Sequence, residues 1–199
     1  MSVNDKKEME YEKRVMIDEN QYHEVKAYIE KRSGFFRVLN IKNLYFDRPD
    51  FYIINHEMML RIREINGIAK EVTLKVKGDN GDQEITRLIK EQVDYNLSIF
   101  EQNLLNKEML KILKENNVNP KEIGLITTLS TERIELIEDN CIYVLDKNYY
   151  NGIVDFDIEV EAKSILEAEK YLLDFISLFG IEYKKDYITK SRRAIKSLK

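Results

Sequence analysis

Cysteine occurs once, at Cys141, so no disulfide can form within the chain and nothing points to an oxidising compartment. Proline (2) and glycine (7) are too few for a low-complexity or disordered chain. No apolar run approaches the roughly 20 residues of a membrane span. The opening stretch MSVNDKKEME lacks the apolar core of a signal peptide, so a soluble, cytoplasmic protein without a membrane partner is expected. A surplus of one charge is also missing: 32 Lys and Arg face 36 Asp and Glu, a net charge of −4. Phosphate neutralisation along nucleic acid wants a basic surplus, so no nucleic-acid partner is expected. What the chain does have is charge of both signs. Of its 199 residues 34% are charged, against about a quarter in an average soluble protein, beside 43% hydrophobic residues that suffice for a core.

Periodicity orders these residues into many strands and a few helices. Residues 7–18 alternate, with Glu8, Glu10, Glu12 and Arg14 on one parity. Asp18 then stands as an N-cap for a helix with Tyr22, Val25 and Ile29 on one face, closed by Gly34. Residues 35–47 read as strand. Residues 58–65 and 68–77 read as a hairpin around Asn66-Gly67, a pair suited to the positive φ angles of a two-residue turn. A turn at 78–81 precedes a strand near 84–91. At about 94–120 the period changes: Leu97, Phe100, Leu104, Leu105, Met109, Ile112 and Leu113 predict a helical insertion of two short helices. Strands return at 126–137, 142–149 and 154–162, the last opened by Asn151-Gly152. Ser164 and Glu167 form a capping-box pattern for a helix ending at Gly180. No linker or repeat interrupts residues 1–199, so a single domain is expected.

The chemistry lies in strands whose alternate positions are ionic. Arg61 and Arg63 flank Ile62, Lys75 and Lys77 flank Val76, and Arg133 and Glu135 flank Ile134. Asp155, Asp157, Glu159 and Glu161 alternate with Phe156, Ile158 and Val160. A helix, at about 100° per residue, would scatter these four carboxylates, whereas a pleat stacks them on one face. A half-exposed antiparallel sheet also alternates polar and apolar residues, and that solvated reading stays open. Two features favour a site: the faces are almost purely ionic, and the signs are segregated by strand. Neighbouring carboxylates on a sheet repel, and divalent cations between them would relieve that and suit a polyanion gripped by the bases. Oxygen ligands without nearby His or Cys favour Mg²⁺ or Mn²⁺ over Zn²⁺. If the strands close into a barrel, the lumen suits something small, highly negative and metal-chelated, such as a di- or triphosphate.

These residues resemble the CYTH domain, also called the triphosphate tunnel metalloenzyme family. Glu10-Tyr11-Glu12-Lys13-Arg14 is similar to the family's ExExK, with Arg14 in place of Lys. Tyr45-Phe46-Asp47, Leu60-Arg61-Ile62-Arg63, Thr73-Leu74-Lys75, Thr131-Glu132-Arg133, Leu145-Asp146, Glu159-Val160-Glu161-Ala162 and Lys190-Ser191 follow in family order. The resemblance implies a β-dominated α+β fold, a closed eight-stranded antiparallel β-barrel or tunnel with helices packed outside. It implies Mg²⁺ or Mn²⁺ on Glu10, Glu12, Glu159 and Glu161, with Asp146 completing the catalytic set. It implies a small-molecule triphosphate substrate on Arg14, Arg61, Arg63, Lys75, Lys77, Arg133 and Lys190. The expected activity is hydrolysis of inorganic, thiamine or nucleoside triphosphate. The alternatives are a class IV-type adenylate cyclase, since the chain most resembles the Firmicutes-type branch often given that label, and a non-catalytic polyphosphate-binding or nucleotide-binding module.

Glu8, Asp155 and Asp157 fall outside the core motif and are expected at the tunnel mouth. His23 and His56 have no partner in sequence, and Cys141 reads as a small strand residue. Lys184-Lys185 and Arg192-Arg193 read as solvated, or as a funnel for an anion. A monomer or homodimer is expected.

Overall fold

The alternating segments form strands whose apolar faces are covered by helices, which leaves the ionic faces to one another. A computed structural model describes residues 5–32, 35–90, 92–94, 98–138, 140–184 and 188–198. Its strands are β1 (Asp5–Glu10), β2 (Glu12–Ile17), β3 (Phe36–Asp47), β4 (Met58–Ile65), β5 (Ala69–Val76), β6 (Asp82–Ile89), β7 (Gly124–Ile137), β8 (Cys141–Tyr150) and β9 (Ile153–Ala162). They pair antiparallel in one curled sheet ordered β1-β6-β5-β4-β3-β7-β8-β9-β2. The two end strands are consecutive in the chain and separated only by Tyr11. Glu10 pairs with Asp82 of β6 and Glu12 with Glu161 of β9, so the sheet returns on itself through one stretch of backbone. Nine strands stand where eight were expected because the first breaks at Tyr11, where it exchanges one neighbour for the other.

Both Asn-Gly pairs make the turns their chemistry allows. Asn66 and Gly67 (φ 52° and 67°) join β4 to β5, and Asn151 and Gly152 (φ 46° and 78°) join β8 to β9. The helices are α1 (Glu19–Lys31), α2 (Tyr52–Asn55), α3 (Lys107–Glu115), α4 (Ile165–Ser177) and α5 (Lys190–Lys196). Asp18 and Gln21 form a capping box on α1, and Asn106 and Ser164 cap α3 and α4. Outward residues of β3–β6, among them Leu44, Leu60, Ile62, Leu74 and Ile85, pack against Met109 and Leu113 of α3. Val15, Ile134, Leu145, Ile158 and Val160 pack against α1 and α4 through Val25, Ile29, Leu172 and Phe175.

Two expectations change. Among its described residues the insertion holds one α-helix, α3, and a 3-10 turn, Pro120–Glu122, where two helices were expected. Residues 99–103 are turns, although Ile99, Leu104 and Leu105 still reach the core. Side chains compete for the backbone there: Gln102 accepts from the Asp94 N–H, and Ser98 and Glu101 bond each other's N–H groups. The second change is α5, seven residues long and too short to leave a periodic signal in the sequence. Gly34, Glu91, Leu97, Asp139 and Lys185 lie outside the described residues.

Candidate active site

Strand alternation turns Glu10 and Glu12 inward on either side of Tyr11, and the register sets Glu161 opposite Glu12. One carboxylate oxygen from each of Glu10, Glu12 and Glu161 lies within 4.8 Å of the others. Burial, then the charges of Glu12 and Glu84, push the Glu10 carboxyl up to about 8. Burial also raises Glu161, to about 7; Arg133 opposes this, and Glu12 and Glu159 add to it. Burial would raise Glu12 too, but Lys75 and Arg14 outweigh it and hold that carboxyl below its usual value. Lys75 partly compensates the trio: its Nζ meets Glu10 and lies 3.4 Å from Glu12 and 3.2 Å from Asp82. Three crowded oxygen donors, two of them resisting ionisation, fit a hard divalent cation, whose charge would reverse the repulsion.

A second acidic trio is already compensated. Asp146, Asp157 and Glu159 are almost fully buried. Arg133 donates to both oxygens of Asp146 (2.9 and 2.7 Å) and to Glu159 (3.0 Å). Lys190 contacts Asp146, Glu159 at 2.8 Å and Asp157 at 3.3 Å. Arg14 meets Glu159, and Arg193 lies 2.7 Å from Asp157 and from Asp155. Burial works against the Glu159 anion, yet Arg14, Lys190 and Arg133 hold it well below the usual carboxylate range. Such charges are retained in the interior because each has a partner. Glu159 therefore stands with this cluster, while Glu161, two residues along the same face, stands with the first. One strand step of two residues, about 6.6 Å, separates the two roles.

The basic side of the cavity is less well satisfied. Arg61 lies 3.6 Å from Glu84, and its buried Nε has no hydrogen-bond partner among the described residues. Arg63 donates to Asn43 Oδ1 at 3.1 Å. Burial, then the charges of Arg61 and Arg133, lower its affinity for the proton. Three guanidinium groups crowded in this way call for an anion. Lys77 is exposed at the cavity edge, 2.9 Å from Glu57. All the residues expected to bind metal or substrate line this cavity, and Asp146 reaches it through Arg133 and Lys190.

The additional acids sort differently from expectation. Glu8 is exposed and pairs with Lys6, on the strand position opposite Glu84. Asp157 is wholly buried in the ion network instead of standing at the mouth, and Asp155 is tied to Arg193, Tyr150 and Asn148. Arg193 is an internal partner of these acids and not a solvated charge. Sequence reasoning passed over Asp82 and Glu84, whose spacing around Gln83 carried the same alternating signal. Asn43 and Tyr45 of the cavity wall gave no such signal. His23 packs against the Tyr22 ring and His56 stacks on Tyr52.

Comparison with known proteins follows the same lines. The family model of the CYTH domain matches residues 8–193. A Bacillus subtilis protein provisionally named a triphosphatase, YjbK, is 24% identical over 178 residues, 89% of this chain and 90% of that one. A solved Bacillus halodurans protein, provisionally designated an adenylate cyclase, is 26% identical with a TM-score of 0.81, covering 94% of this chain and 97% of that one. HpAC1 from Hippeastrum, an adenylyl cyclase by provisional name and described with a dominant triphosphatase activity, is 18% identical and shares the fold. Its TM-score is 0.76, with 96% of this chain and 97% of that one covered.

Proposed function

The chain belongs to the CYTH domain family, and on that premise we propose that it is a divalent-metal-dependent triphosphatase acting inside its charged tunnel. The observation that carries this reading is the Glu10, Glu12 and Glu161 trio beside the crowded guanidinium groups of Arg61, Arg63 and Arg133. Glu10, Glu12 and Glu161 would hold Mg²⁺ or Mn²⁺, with Glu159 the next carboxylate on β9. A bound ion supplies neutralisation of phosphate oxygens and a more acidic water.

The remaining work falls to the chain's own side chains. Arg61, Arg63 and Lys75 bind the oxygens of the phosphate chain, and Lys77 stands at the edge of the cavity, paired with Glu57. Arg133 is held by both oxygens of Asp146 and by Glu159, which fixes the plane of its guanidinium at the cavity wall. Arg14 and Lys190 are fixed likewise by Glu159 and absorb charge that builds on the phosphoryl oxygens. Water attacks the terminal phosphorus, the bridging P–O bond breaks, and orthophosphate and a diphosphate leave. The name of YjbK and the described activity of HpAC1 support hydrolysis over cyclisation.

Incubation with inorganic triphosphate, thiamine triphosphate, ATP and GTP, each with Mg²⁺ or Mn²⁺, tests the reading. Orthophosphate without cyclic AMP is expected. Cyclic AMP and pyrophosphate from ATP would replace it with cyclisation, and tight binding without release over hours would leave only a sensing module.

A further inference from the structure

Inward residues of β4 and β5 stack in layers along the tunnel: Arg63 opposite Glu71, Arg61 opposite Thr73, and Met59 opposite Lys75. One step farther out, past the end of the strand pairing, Glu57 and Lys77 form another layer. The Lys77 N–H donates to the Glu57 carbonyl at 2.9 Å, and Lys77 Nζ lies 2.9 Å from the Glu57 carboxylate. From α5, Arg192 Nη2 reaches the same carboxylate at 2.7 Å and the Ile54 carbonyl at 3.1 Å. All three residues line the cavity, and their side chains are 63% (Lys77), 46% (Glu57) and 33% (Arg192) exposed. This is the solvent-facing end of the basic track.

Glu57 is placed there by its backbone. Its φ of 58° is left-handed, a conformation uncommon outside glycine, asparagine and aspartate. Asp47 anchors the segment before it by accepting the N–H groups of Arg48, Ile53 and Ile54. Two cations that would extend the track by one layer are thus both engaged by a single carboxylate.

Resting on the triphosphatase reading, we propose that Glu57 determines specificity by limiting phosphate chain length. The layers inside it take the substrate, and a longer chain must cross a carboxylate that repels its next phosphate and occupies the two cations that would have received it. Specificity then comes from an unfavourable contact with the longer substrate as much as from favourable contacts with the shorter one.

The test compares kcat/KM for inorganic triphosphate and inorganic tetraphosphate under one Mg²⁺ concentration, in wild type, Glu57→Gln and Arg192→Gln. Reading each variant as a ratio of two substrates removes any dependence on how much of it is folded. Wild type is expected to favour triphosphate. Glu57→Gln should raise the tetraphosphate-to-triphosphate ratio about fivefold, the scale of one or two partly exposed charge contacts. Arg192→Gln should lower the ratio, because the carboxylate is then less compensated. A ratio unchanged in Glu57→Gln, with triphosphate still hydrolysed, overturns this inference and leaves the triphosphatase reading standing. No phosphate release from triphosphate by wild type overturns both.

Discussion

Glu12 and Glu159 are both inward carboxylates held ionised by neighbouring cations, yet the structure gives them unequal consequences when neutralised. Glu12 is crowded by Glu10 and Glu161 but is also paired with Lys75 and Arg14, so removing its charge relieves the crowding and loses those two contacts. Glu159 is the shared partner of Arg14, Arg133 and Lys190, and removing its charge leaves three buried cations short of a counter-ion. Glu12→Gln should therefore weaken Mg²⁺ or Mn²⁺ binding by tenfold or more with a smaller loss of stability than Glu159→Gln. Glu159→Gln should cost about 3–5 kcal/mol. Urea denaturation and metal titration of the two variants check this, and equal stability losses would contradict the division of the acids into two clusters. The alternation along residues 155–161 was enough to place all four acids on one face. It could not divide them, because the cations that claim Asp146, Asp157 and Glu159 include Lys190 and Arg193, brought in by a helix with no sequence signal of its own.

At the scale of elements, the helices outside the sheet are what force charge inward. Leu60, Ile62, Leu74 and Ile85 leave water by packing on Met109 and Leu113, and the opposite face of the same strands is then committed to the tunnel. Leu113 is fully buried in α3. Leu113→Ala should cost about 2–5 kcal/mol through lost burial and the cavity left behind. Because α3 packs on the outward face of the strands, kcat/KM per folded molecule should not change; a calorimetric melt beside an activity assay separates the two. The hairpins were legible because Asn-Gly has few other uses between alternating strands. The insertion was legible as apolar content but not as conformation, since turns around 99–103 bury Ile99, Leu104 and Leu105 as well as a helix would.

For the whole molecule, a net charge of −4 says little about what it binds. Acids and bases interleave around one cavity of the curled sheet, and the average cancels them. Among the described residues no helix is long and apolar enough to cross a membrane. Closure of the sheet was read from family order and not from periodicity, because the break at Tyr11 that joins its two ends is a single residue inside an otherwise continuous strand. In the proposed reaction the Glu10, Glu12 and Glu161 trio and the guanidinium groups beside it act together on a phosphate chain. Phosphate release from inorganic triphosphate, followed with Mg²⁺ or Mn²⁺ and again after excess EDTA, tests it most directly. Release should require the metal, stop with EDTA and fall at least a hundredfold in Glu12→Gln; release at full rate in EDTA, or undiminished in that variant, would rule that joint action out.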